Sequence, residues 1–408
     1  MDSNSAVQTG SWRTPGVVIV AACLIAMIGF GSRSTFGLFL DPMTDTRGWS
    51  RETFALALAL QNLMWGIGVP IAGAIADKYG AVRVIGIGAV VYGLGIYGMS
   101  SAETGTALYL TGGLLTGLGV AFTAFSLAMA AMARVVSADR RSFVLGLGTA
   151  AGSLGQVIFS PLSQGFINSF GWQHALVLQA GIVMLLVPLA LALPLSAGNS
   201  QAAEQGQSLK QAVQEAFAHR GFVLLTAGFF VCGFHVAFIT VHFPAYVNDM
   251  GLSATVGAWA LAIIGLFNIA GSFLSGIAGQ RFSKKSSLSF IYLARAAVIS
   301  ALLLAPKTPE TIYLFSALMG LLWLSTVPLT TGIVAQVFGL RYLATLFGIV
   351  FLSHQIGSFL GVWLGGRLYD TYGSYDGMWI AGILFGVIAA ILHWPINEKP
   401  LARLAADT

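Results

Sequence analysis

The sequence predicts an all-α integral membrane protein whose twelve spans form two pseudo-symmetric six-helix bundles, and three observations carry that prediction. The first is composition: 56% of residues are hydrophobic and 9% are charged, against roughly 25% charged in a soluble domain. The second is pattern. The apolar runs are continuous rather than alternating, which fits membrane helices and excludes a β-barrel. Sharing 408 residues among twelve spans leaves each about 20 spanning residues and a short connection. The third is repetition. Gly48-Trp49-Ser50 recurs as Gly251-Leu252-Ser253, Gly73 as Gly276, and Gly146, Gly155 and Gly171 as Gly348, Gly357 and Gly373, at offsets of 202 or 203. The two halves are therefore parallel duplicates.

Apolar runs bounded by charge or turn clusters place the first six spans near 15–40, 53–75, 82–100, 106–132, 143–167 and 174–195. The second six lie near 220–247, 253–279, 287–305, 312–336, 343–367 and 375–394. Residues 1–195 thus make one bundle and 220–408 the other. Between them 196–219, the only long polar segment, reads as a cytoplasmic linker ending in a short amphipathic surface helix.

With both termini inside, fourteen Lys and Arg fall on the inner face, four on the outer, and Arg33 and Arg295 lie within spans. That bias predicts cytoplasmic termini in a multi-pass protein of the cell (inner) membrane. The net charge of +5 is then a topology signal and implies no nucleic-acid partner. The first apolar stretch is too long for a signal peptide and lacks a cleavage site, so none is expected. Cys23 and Cys232 sit within spans and read as packing residues rather than a disulfide. A monomer is expected.

Arg33 is the most informative residue. A charge buried in bilayer costs roughly 2.5 to 3.5 kcal/mol on insertion scales, so it is tolerated where it faces a watery cavity or a partner. No acidic residue lies deep in any span, and a span cation without a carboxylate partner predicts an anion-handling transporter. At about eight residues from the outer end, Arg33 is expected roughly 12 Å deep at ~1.5 Å per residue. It serves either as a forked carboxylate anchor or as a structural donor to neighbouring carbonyls.

Other span residues are weighed in the same way. His235 corresponds to position 33 through the 202 offset, which places it across the pseudo-symmetry axis from Arg33. Because a free imidazole titrates near neutral pH, His235 and His354 are the candidate proton carriers; His235 reads equally as a hydrogen-bonded span histidine. Gln61, Asn62, Asn268, His354 and Gln355 are polar groups that lipid does not accept unpaired; each is either helix glue or part of a converging polar site. Phe36, Trp65, Phe238 and Trp323 read as apolar walls or as packing. Arg295 reads either as a brace between helices through backbone carbonyls or as a functional cation within the ninth span.

At the inner end of the second span, Asp77 can cap a neighbouring helix and pair with Arg134, with Lys78 and Arg83 completing an inner gate. The second-half copy carries Gln280 instead, so the gate is asymmetric. The glycines Gly146, Gly148 and Gly152 lie inside an apolar span with no preceding strand, and no Walker A motif or Cys/His metal spacing occurs. Neither enzyme chemistry nor a cofactor is expected.

Residues 73–83, GAIADKYGAVR, resemble the loop between spans two and three of the major facilitator superfamily. SRSTFGLFLDPM in span one, RRSFVLGLGTAAGSLG entering span five, FGW at 170–172 and GGRLYDTYGSYDGMW at 365–379 resemble its monocarboxylate porter branch. The resemblance implies the major facilitator fold, alternating access and a small-molecule substrate. It also implies that Arg33, at the place of that branch's basic residue in span one, takes part in proton and monocarboxylate binding. The branch's animal members carry an Asp and an Arg four residues apart in span eight, where this chain has Asn268 and Ser272. That departure leaves open a larger, mainly neutral substrate such as riboflavin, or multidrug export. A non-transporting membrane receptor is the reading from another class.

Overall fold

The computed structural model describes residues 12–137, 140–194, 207–339 and 341–405. The first half consists of α1 (Pro15–Arg47), α2 (Arg51–Tyr79), α3 (Ala81–Ser101), α4 (Gly105–Arg134) and one long helical stretch, Val144–Leu191. That stretch holds two spans. Gly171, at φ 76° and ψ 162°, leaves helical geometry and turns the chain, giving α5 (144–170) and α6 (172–191). The second half is α7 (Arg220–Asp249), α8 (Ala254–Arg281), α9 (Lys284–Leu304), α10 (Pro309–Phe338), α11 (Leu343–Tyr372) and α12 (Asp376–His393). Its Gly373, the duplicate of Gly171, turns the chain between α11 and α12 at φ 69°. Glycine adopts such an angle without a Cβ penalty, which is why it stands at both turns.

The duplication is visible in packing. In the first half α1 lies along α5, and in the second α7 lies along α11. A Cβ added to Gly155 would collide with the Met27 carbonyl, and one added to Gly357 with the Phe230 carbonyl. Because lipid tails are as apolar as leucine, helices in a membrane gain by close van der Waals approach, and small residues permit it. The α4 and α10 helices break at equivalent depths, at Thr123–Ala124 and Trp323–Ser325.

A break inside a membrane frees backbone groups that need partners. At the α10 break, the fully buried Arg295 of α9 donates from Nε to the Leu322 carbonyl at 3.1 Å and from Nη2 to the carbonyls of Leu322 and Trp323. Asn268 of α8 accepts from the Leu324 amide at 3.0 Å.

The halves meet where α2 lies beside α11 and α5 beside α8. Two hydrogen bonds cross this boundary at mid-depth, from Gln156 Nε2 to the Leu261 carbonyl and from Asn268 Nδ2 to Ser153 Oγ, both 3.0 Å.

Two expectations change. The first span extends to Arg47 rather than ending near residue 40, because the 3-10 turn Phe36–Phe39 continues into helix Leu40–Arg47 and only Gly48, at φ 65°, stops it. Fourteen helical-stretch residues therefore follow Arg33 rather than about eight, which puts it about 21 Å from the end of its helix at ~1.5 Å each. Of the expected linker, helix Leu209–Ala218 is present with a Ser208–Gln211 capping box. Residues 195–206 lie outside the described residues, as do 1–11 and 406–408.

Candidate functional site

At mid-depth the guanidinium of Arg33 lies over the ring of Trp65 at 4.2 Å, and its Nη2 donates to Asn62 Oδ1 at 2.7 Å. Asn62 is oriented by its own Nδ2, which donates to the Leu58 carbonyl one turn earlier at 2.8 Å. Trp65 in turn meets Phe351 of α11 edge-on at 5.3 Å. The ring of Phe351 stacks with His354 at 5.6 Å, and His354 Nδ1 lies 3.1 Å from Gln355 Oε1. A Cβ added to Gly66 would collide with Gln355 Cβ, so α2 and α11 touch beside the cluster. The second half thus completes what Arg33 begins.

Two donors in this cluster, Arg33 Nε and Gln355 Nε2, are buried without a hydrogen-bond partner. Among the described residues no carboxylate pairs with Arg33. A buried donor left unpaired costs roughly 1–3 kcal/mol, more when charged, which makes the cluster receptive to acceptor oxygens.

Other residues singled out in the sequence sit elsewhere. His235 Nε2 is 2.8 Å from the Gly382 carbonyl of α12, so its ring is turned to the interior of the second bundle and not toward Arg33. Gln61 Nε2 donates to the Gly112 carbonyl of α4, and Asn268 is held by Ser153, Ser272 and Leu324. Phe36 and Trp323 are buried in the core, and Phe238 packs against Trp379 at 4.9 Å. Near the termini, Arg134 Nη2 is 3.4 Å from Asp77 Oδ1, while Lys78 and Arg83 are exposed.

A second assembly, which sequence reading missed, joins the halves at the end away from the termini. Arg51 at the start of α2 forks onto Asp249 at the end of α7, and also contacts Asp41 Oδ1 and Tyr375 Oη, both at 3.0 Å. Asp41 Oδ2 accepts from Asn248 Nδ2 at 2.7 Å. Asp370 of α11 accepts from the backbone amides of Arg51 and Glu52, at 3.0 and 2.7 Å, capping α2 from the other half. Glu52 accepts from Trp363 and Arg367, each at 3.0 Å. Behind the fork, His242 Nε2 meets the Val362 carbonyl and its Nδ1 meets Tyr375 Oη.

The Major Facilitator Superfamily family model matches residues 22–308 and 243–407. The chain belongs to that superfamily. Among similar superfamily proteins, Monocarboxylate transporter 13 of Rattus norvegicus is 25% identical over 359 residues, covering 88% of this chain and 83% of the relative. The uncharacterized MFS-type transporter YcxA of Bacillus subtilis is 25% identical over 397 residues, covering 92% of this chain and 94% of the relative.

The fold matches the crystal structure of the D-xylose-proton symporter with a TM-score of 0.76 at 14% identity, over 95% of this chain and 99% of that one. It also matches a bacterial homolog of the human lysosomal transporter Spinster, inward-facing and unoccupied, with a TM-score of 0.74 at 16% identity, over 94% and 97%. This superfamily member is therefore a multi-pass membrane transporter and not an enzyme.

Proposed function

We propose that the chain carries a small monocarboxylate-like organic anion across the cell (inner) membrane by alternating access, with both termini cytoplasmic. One observation carries the reading: Arg33 and Gln355 present unpaired buried donors on either side of the Trp65–Phe351 contact, with no carboxylate among the described residues neutralising the guanidinium. The flat guanidinium matches two carboxylate oxygens, and the aromatic pair matches a short apolar tail. Because Arg33 and Asn62 belong to one half and Phe351 and Gln355 to the other, a bound anion ties the halves together. That linkage is what substrate-driven alternation requires.

His354, one contact from Phe351, is the retained candidate for proton coupling. Asp77 with Lys78, Arg83 and Arg134 forms the proposed gate at the termini end. The bundles are proposed to divide at the linker, 1–195 from 220–408.

The test is uptake by the purified protein in liposomes, screened over short monocarboxylates, larger organic acids and neutral vitamins, with and without a pH gradient. Saturable uptake of a monocarboxylate that competes with other monocarboxylates supports the reading. Uptake of neutral compounds alone refutes it.

A further inference from the structure

We infer that the far-end latch is a proton-binding site: the Asp41–Asp249 pair takes up one proton, seated on Asp41, when the two halves close around Arg51. The inference concerns the latch and holds whichever substrate the transporter carries.

Charge sets the demand for a proton. Closing gathers four carboxylates, Asp41, Asp249, Asp370 and Glu52, about two guanidiniums, Arg51 and Arg367. Asp249, Asp370 and Arg367 belong to the second half, so opening takes them away and leaves Asp41 with Arg51, Asp45 and Glu52 of its own half. The side chains of Arg51 and Asp41 are only 13% and 18% exposed when closed, so water screens them weakly. Like charges gathered in a poorly hydrated place raise proton affinity.

Geometry chooses the seat. Asp249 receives both arms of the Arg51 fork at 2.7 and 2.8 Å, the arrangement that best holds a carboxylate ionised. Asp41 receives one arm at 3.0 Å, and its other oxygen faces the amide of Asn248. An amide serves either protonation state: its NH2 donates to a carboxylate, and after a flip its oxygen accepts from a carboxylic acid. Asn248 Oδ1 is buried and has no partner in the ionised arrangement. A cleft of about 150 Å³, lined by Asp41, Asp45, Gln164 and Asn248 among others, gives Asp41 a route for proton exchange.

The remaining groups around the fork do not supply the proton. Tyr369 and Tyr375 face Arg51 with their rings, and Tyr375 Oη accepts from it. His242 reaches the fork through Tyr375, but its partners Tyr375 and Val362 both belong to its own half and move with it. The linkage therefore has one sign. Proton affinity is higher closed than open, so the closed far end is favoured in acid and loses that advantage as pH rises through the closed-state pKa.

The experiment places nitroxide labels at Glu103→Cys and Lys307→Cys, exposed positions on opposite halves at the far end, in the full chain in lipid nanodiscs without substrate. Distance distributions from pulsed electron resonance give the closed-to-open ratio. That ratio should rise severalfold from about pH 8 to about pH 5.5, bounded by tenfold per pH unit for one linked proton. Asp41→Asn should remove the dependence, whereas Asp45→Asn should keep it. Infrared difference spectra of the unlabelled protein provide a second reading: a protonated-carboxyl band should appear on acidification and vanish in Asp41→Asn. A flat ratio, an opposite slope, or a dependence and band that survive in Asp41→Asn would overturn the inference.

Discussion

Arg51 and Asp249 stand 198 residues apart on different halves, yet they meet in a two-point fork with N to O distances of 2.7 and 2.8 Å. The fork holds one end of the bundle shut, because it exists only while α2 and the end of α7 are adjacent. Asp249→Asn keeps the shape and removes the charge. Loss of about 1.4 kcal/mol from the closed state would move the closed-to-open ratio tenfold. Cysteine labelling at far-end positions should rise accordingly, with no change in thermal unfolding; unchanged labelling would show that the capping and Glu52 contacts suffice to close this end.

The Arg33 cluster sets a sharper expectation for transport. Arg33→Ala should abolish uptake of the best anion found in the liposome screen while leaving the protein folded, and Arg33→Lys should retain part of it as a charge without the planar fork. Gln355→Leu removes the other unpaired donor and should raise KM by about tenfold, a loss of ~1.4 kcal/mol. Wild-type uptake by Arg33→Ala would remove this residue from the site.

For Arg295 the expected outcome is structural. Its guanidinium fills the α10 break, and Arg295→Leu leaves the Leu322 and Trp323 carbonyls without these donors at roughly 1–3 kcal/mol per unsatisfied group. Detergent-solubilised protein should show a lower thermal midpoint and reduced yield, while the fraction that folds keeps the wild-type KM. A changed KM at unchanged stability would instead bring Arg295 into substrate handling.

Much of this was legible in the sequence. Composition and the 202–203 offset predict a duplicated twelve-helix bundle, since both the apolar length and the glycine spacing are set by the backbone itself. Arg33 stands out because a charge in an apolar run has few physical explanations. Phe351 does not, being one of 27 phenylalanines, although it carries the contact from Trp65 to the second half. The offset that pairs His235 with Arg33 predicts depth along a helix but not rotation about it, and the ring points to Gly382 of α12. Arg51 reads in the sequence as a loop-edge charge. Its role depends on Asp249, Asp370 and Tyr375, which only the folded chain brings together.

The termini-end gate gives the last prediction. Arg134 Nη2 lies 3.4 Å from Asp77 Oδ1, but the Asp77 side chain is 74% exposed. An ion pair this open to solvent contributes roughly 0–1 kcal/mol and less at high salt. In the far-end-closed arrangement described here, Asp77→Asn should therefore leave thermal stability nearly unchanged. Its effect is expected in the opposite state, where the termini end closes and the carboxylate at the end of α2 can meet a neighbouring helix N-terminus. The variant should shift the population toward far-end-closed, so labelling falls at far-end cysteines and rises at termini-end ones, without a change in unfolding temperature. Gln280→Glu, at the duplicate position, should not reverse the shift, because it adds a charge to the other half. Unchanged labelling in Asp77→Asn would assign this carboxylate to folding or membrane insertion instead of gating.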